Sequence, residues 1–132
     1  MKILVPVSVG EIFDKLSILQ IKEQKISDPT KLGNVKNEIK ELKKSIVDFK
    51  IDEQSYSKVL NLLKAKLFET NSKLWDIEDA LRELENKKIF ELEFISLARQ
   101  VYITNDERAE IKKEINKLTG SNIIEEKHSS EY

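Results

Sequence analysis

The chain has no cysteine, one histidine, two prolines and three glycines. Without cysteine there is no disulfide framework, no thiolate metal site and no thiol nucleophile. The lone His128 stands in a polar C-terminal stretch, so neither a histidine-based metal site nor a Ser/His/Asp set is expected. So few turn formers argue against a β-sandwich or barrel. The signs of charge nearly cancel, 23 basic residues against 24 acidic, a net of −1. Such a chain has no overall field to draw nucleic acid or an anionic membrane surface. It lacks an apolar run of about 18 residues, so no membrane insertion is expected. Met1–Gly10 carries one lysine and no small-residue cleavage site, and is not read as a signal peptide. There is no glycine-rich phosphate loop. The expectation is a cytoplasmic protein of one domain, with no metal and no cofactor.

What is present is helical periodicity. Ile3-Leu4-Val5-Pro6-Val7 is apolar and β-branched, and reads as a short extended segment that Pro6 restricts to an edge. Ser8-Val9-Gly10-Glu11 matches a capping box, so a first helix is expected over Val9–Ile26, broken by Asp28-Pro29. It is apolar almost all round, which places it at the centre of the packing. Its polar stripe is Glu11, Lys15 and Lys22. A second helix is expected from Thr30 to Phe49, with a heptad seam of Leu32, Val35, Ile39, Leu42, Ile46 and Phe49. Asp52 is the expected N-cap of a third helix, Glu53–Glu85, with its seam running from Tyr56 through Leu60, Leu63, Leu67, Thr70, Leu74, Ile77 and Leu81 to Leu84. After a tight turn at Asn86-Lys87-Lys88, the unbroken seam reads as a fourth helix of roughly 32 residues, about 48 Å long, ending at Gly120, with the capping-box pattern Thr104-x-x-Glu107 leaving a break there open. The fold class expected is all-α: an antiparallel, coiled-coil-like four-helix bundle with a long hairpin of helices 3 and 4 and two shorter helices laid against it. Residues 1–120 form the domain, and 121–132 read as a polar, loosely ordered tail.

Polar residues interrupt the hairpin seam. Phe68-Glu69-Thr70-Asn71 is echoed by Tyr102-Ile103-Thr104-Asn105, and each Thr takes a position otherwise held by Leu, Ile or Val. A turn near residue 87 sets Thr70 and Thr104 at one height, with Arg108 one turn further along. Asn71, Trp75, Glu78 and Arg82 share a face of helix 3, and Tyr102, Asn105, Lys112 and Asn116 share one of helix 4. Together Thr70, Asn71, Trp75, Glu78, Tyr102, Thr104, Asn105, Arg108 and Lys112 form a candidate ligand groove. Its cations suit a carboxylate or phosphate, and its aromatic walls suit a sugar or ring. The same layer also fits a purely structural role, since polar residues within a seam fix helix register and partner choice. Asp76, Asp79 and Glu83 lie roughly opposite the seam and read as a solvated acidic face.

Three blocks carry a family resemblance: Met1–Glu11 with Asp14-Lys15 and Ile18-Leu19; Leu74-Trp75-Asp76-Ile77-Glu78-Asp79; and Tyr102–Ala109 with Glu125-Glu126-Lys127. Together they resemble a bacterial family classed as a domain of unknown function. Its members accompany glycosyltransferases and tetratricopeptide proteins in surface-polysaccharide loci. The resemblance implies a role near sugar-polymer assembly without assigning a reaction. Separately, Asn105–Ile115 is similar to the first helix of all-α chorismate mutases, where an Arg and a Lys grip substrate carboxylates; Arg108 and Lys112 would take those roles. The two downstream helices of that fold have no counterpart here. The leading expectation is thus a helical binding or adaptor protein, paired as a homodimer or with a helical partner. The alternative is a small enzyme or a sugar- or nucleotide-binding module that takes a small anionic or sugar-phosphate ligand in the groove.

Overall fold

The computed structural model describes residues 1–132 and holds four α-helices and no strand. They are α1 (Val9–Lys25), α2 (Pro29–Asp48), α3 (Ser57–Asn86) and α4 (Leu92–Thr119), with a 3-10 turn at Ile51–Glu53. α3 and α4 form the long antiparallel hairpin, and α1 packs against α2, α3 and α4 alike. The all-round apolar character of α1 explains its central place. Phe13, Leu16 and Leu19 of α1 meet Val35, Ile39 and Ile46 of α2, Leu60, Leu63 and Leu67 of α3, and Ile115 of α4 in one core. No helix is long and apolar enough to cross a membrane.

Local signals set the helix ends. Ser8 Oγ accepts a hydrogen bond from the Glu11 backbone N–H at 3.1 Å, the expected half of the capping box. The other half is absent, because the Glu11 carboxylate turns to Lys112 instead. α2 begins one residue earlier than expected: Asp28 caps it through the Thr30 N–H, and Pro29 takes the first turn, where no N–H is needed. Within its seam Val35, Ile39 and Ile46 are buried, but Phe49 falls outside the helix and is exposed.

α3 starts four residues later than expected, and Asp52 does not cap it. Lys50 adopts a left-handed conformation (φ 53°) that turns the chain, and Ile51 is buried beneath α2 and α3. Burial of Ile51 fixes this corner, so Asp52 points to Lys64 at 3.4 Å. α4 runs unbroken through Thr104-Asn105, as the continuous seam implied. It closes at Gly120, whose left-handed φ of 65° lets the Ser121 N–H reach the Asn116 carbonyl at 2.9 Å.

The hairpin loop is centred near Ile89, between Asn86 and Leu92, rather than at residue 87. That slide changes which residues face each other. Asn71 and Arg108 converge on Asp14, while Thr70 lines an outer groove and Thr104 is fully buried. Burial also ends part-way along the hairpin. α3 has no buried residue after Ile77 and α4 none before Thr104, so Glu78–Ile103 forms an arm of two helices without a third.

Candidate functional site

The polar layer is organised by a residue of α1. Asp14 is fully buried one turn after the α1 N-terminus, between the apolar Phe13 and Leu16. Its Oδ1 accepts from Arg108 Nε at 2.8 Å and from Asn71 Nδ2 at 2.9 Å, and its Oδ2 accepts from Arg108 Nη2. The Arg108 fork is therefore bidentate on Asp14, the strongest form of charge-assisted pairing. Asn71 also donates to Ser17 Oγ at 2.6 Å, and Ser17 donates to the Asp14 carbonyl. Arg108 Nη1 reaches Asn105 at 3.4 Å. Hydrogen bonding to Asp14 raises the Arg108 pKa further above its ordinary value, against the opposing effect of burial.

A second set of contacts continues from Lys112, whose side chain is 16% exposed. Its ammonium donates to Glu11 at 2.6 Å, lies 3.8 Å from Asp14, and reaches Glu125 of the tail at 3.5 Å. Burial alone would lower the Lys112 pKa, but the Glu11 hydrogen bond and the surrounding carboxylates outweigh it and raise the pKa. Ser8 Oγ donates to Glu125 at 2.6 Å. The α1 N-terminus is closed by side chains: Val9 N–H donates to Ser121 Oγ, and Gly10 N–H donates to Asn116 Oδ1 at 2.7 Å. Gly10 is required there, because a Cβ would meet the Lys112 carbonyl oxygen at 2.6 Å. The tail runs back along α4. Lys113 pairs with Glu126, Asp106 with Lys127 and with the Tyr132 hydroxyl, and the Tyr132 ring stacks on Tyr102 at 5.3 Å.

The sequence-derived residues thus divide. Asn71, Asn105, Arg108 and Lys112 meet around Asp14. Thr104 is buried beside no hydrogen-bond partner for its hydroxyl. Thr70 lines a different groove of about 710 Å³, with Lys66, Lys73, Asp106 and Tyr132. Glu78 lines a third, about 490 Å³, on the distal arm with Leu81, Arg82, Phe94 and Val101. Tyr102 is exposed under Tyr132, and Trp75 is half-buried on α3. No three acidic or histidine side chains converge as a metal-ligand set.

Three members of the cluster escaped the sequence reading: Asp14, Ser17 and Ser8 in its role toward the tail. A carboxylate set among Phe13, Leu16 and Leu19, off the Glu11/Lys15/Lys22 stripe of the helix, is the signal that identifies Asp14. Chemically, the cluster's two cations are already answered by its own carboxylates, Asp14, Glu11 and Glu125. Arg108 and Lys112, which in a chorismate-mutase-like site would hold substrate carboxylates, here hold Asp14 and Glu11. Comparison with protein-family models, with curated proteins and with solved structures gave no match.

Proposed function

We propose that the protein is a non-catalytic helical binding or adaptor protein, acting in the cytoplasm beside enzymes of polysaccharide assembly or glycosylation. The observation that carries the binding role is the distal arm. Leu81, Leu84, Phe94, Leu97 and Val101 are only half-buried there, and Leu92 and Ile95 are 83% and 51% exposed. A seam of this kind fits a helical partner laid into the groove. The internally paired Asp14 cluster supports the same reading, since its strongest donors are already engaged. The link to glycosylation rests on the family resemblance alone. The test uses the full chain and a purified glycosylation enzyme encoded in the same locus. Binding is expected, and Leu92→Asp with Ile95→Asp abolishes it without moving the melting temperature. Undiminished binding by that variant would remove the arm from the proposal.

A second reading follows from Arg108, whose side chain is 30% exposed and whose Nη1 has only a 3.4 Å bond to Asn105. Remaining N–H groups there suit a small anionic or sugar-phosphate ligand. A thermal-shift screen of nucleotide-sugars, sugar phosphates and small dicarboxylates decides between the readings. Ligand at ~100 times its dissociation constant adds roughly 2.7 kcal/mol of stability. The adaptor reading expects no shift; a shift that Arg108→Ala abolishes establishes the second.

A further inference from the structure

The segment before α1 is apolar, exposed and without backbone pairing. Ile3, Leu4 and Val5 are 75%, 85% and 65% exposed, and Met1 and Val7 are exposed as well. No backbone–backbone hydrogen bond involves residues 1–7. Yet the segment is tethered at both ends, by Lys2 to Glu41 at 3.1 Å and by Ser8 as the cap of α1. An apolar, β-branched stretch with open backbone donors and acceptors is a template for strand pairing. The chain holds no strand of its own, so a pairing strand has to come from another molecule.

We propose that Met1–Val7 pairs antiparallel with the same segment of a second copy, around a two-fold axis at Leu4, and that the protein is a homodimer through this ladder. The proposal goes beyond the adaptor reading and holds whatever the arm binds. Pro6 fixes the register. Hydrogen-bonded and non-hydrogen-bonded pairs alternate along an antiparallel ladder. Setting Leu4 opposite its own copy in a non-hydrogen-bonded pair puts Ile3 opposite the partner's Val5 in a hydrogen-bonded one. Pro6 then faces the partner's Lys2 in a non-hydrogen-bonded pair, where its missing N–H is not needed. Ile3, Val5 and Val7 fall on one face of the strand, so the two copies build a single apolar face of six side chains.

Charge and exposure agree with this occupant. Lys2 meets proline rather than a second lysine. The surrounding rim mixes signs, with Lys2 paired to Glu41 and Lys15 to Glu38, so a two-fold axis brings no row of like charges together. The ladder draws on apolar side chains that are otherwise open to solvent: Ile3, Leu4, Val5 and Val7 are 75%, 85%, 65% and 41% exposed.

The chain has no cysteine, so one substitution reports on the axis directly. Sedimentation equilibrium of the full chain is expected to give twice the 15.4 kDa chain mass. Val5→Pro, which removes a ladder donor from a segment outside the core, halves that mass and leaves the helical circular dichroism unchanged. On mild oxidation Leu4→Cys cross-links to a dimer about tenfold faster than Ile3→Cys or Val5→Cys, because only a residue on the axis meets its own copy within disulfide range. A monomer at every concentration overturns the proposal. So does a dimer that survives Val5→Pro, which would place the contact elsewhere, as on the arms. Equal cross-linking at all three positions overturns the register.

Discussion

Asp14 is the residue on which the interior depends. Its carboxylate is 1% exposed and answers Arg108, Asn71 and, at longer range, Lys112. Removing it strands the Arg108 guanidinium with only its 3.4 Å bond to Asn105, while Asn71 keeps Ser17 and Lys112 keeps Glu11. Breaking a buried pair from one side costs about 3–5 kcal/mol. Asp14→Ala is therefore expected to lower the urea-unfolding free energy by about 3 kcal/mol, near the lower figure because Arg108 is partly exposed. Asp14→Leu combined with Arg108→Met should recover much of the loss, because the cost lies in the orphaned charge. Equal losses in the single and double variants would show that the pair itself, rather than the stranded partner, supplies the stability. A stranded guanidinium also explains why Arg108 was legible in the sequence and its role was not. An arginine in an apolar seam announces an anion, but the periodicity of α4 does not say whether that anion is a ligand or a residue 94 positions earlier.

The helices differ sharply in how much of their length is secured. Leu67 is fully buried under α1, whereas Leu97 on the arm is only half-buried. Truncation of a buried leucine costs about 2–5 kcal/mol. Leu67→Ala is expected in that range, and Leu97→Ala near 1 kcal/mol or less, measured by equilibrium unfolding. In hydrogen exchange, amides of Glu78–Ile103 should exchange well before those of the Leu60–Leu67 turns, through local opening that leaves the core intact. Helix number, order and the long hairpin were legible because periodicity survives any tertiary arrangement. Val35, Ile39 and Ile46 are buried where the heptad put them, and α4 is continuous as its seam implied. The slide of the hairpin was not legible. Two residues of loop length, at the left-handed Lys88 and the Phe90–Phe94 contact, carry the hairpin away from the Thr70–Thr104 level that a turn at residue 87 implied. Asp52 misled for a similar reason, since the burial of Ile51 overrides a favourable cap.

At the scale of the whole molecule, one network ties the first turn of α1 to the last turns of α4 and to the tail. Lys112 is its centre, and its pKa is higher in the folded chain than in the unfolded one. The stability it contributes is complete below the ordinary 10.5 and is lost as pH rises through the raised value. Tyr132, also raised, by its hydrogen bond to Asp106, acts in the same direction in the tail. The expected result is a melting temperature that falls at alkaline pH, with a gap between wild type and Lys112→Met that narrows above pH 10.5. A gap constant with pH would show that Lys112 acts by packing alone. The same network has a consequence for how the chain is made. α1 leaves the ribosome before α3 and α4, and the amide and guanidinium that Asp14 needs follow 57 and 94 residues later. Every nascent chain shorter than that holds its most apolar helix without a place to put its carboxylate. Closure of the core around Asp14 is thus expected only once α4 has emerged, and a chain truncated before Arg108 is expected to be protease-sensitive, as limited proteolysis would show.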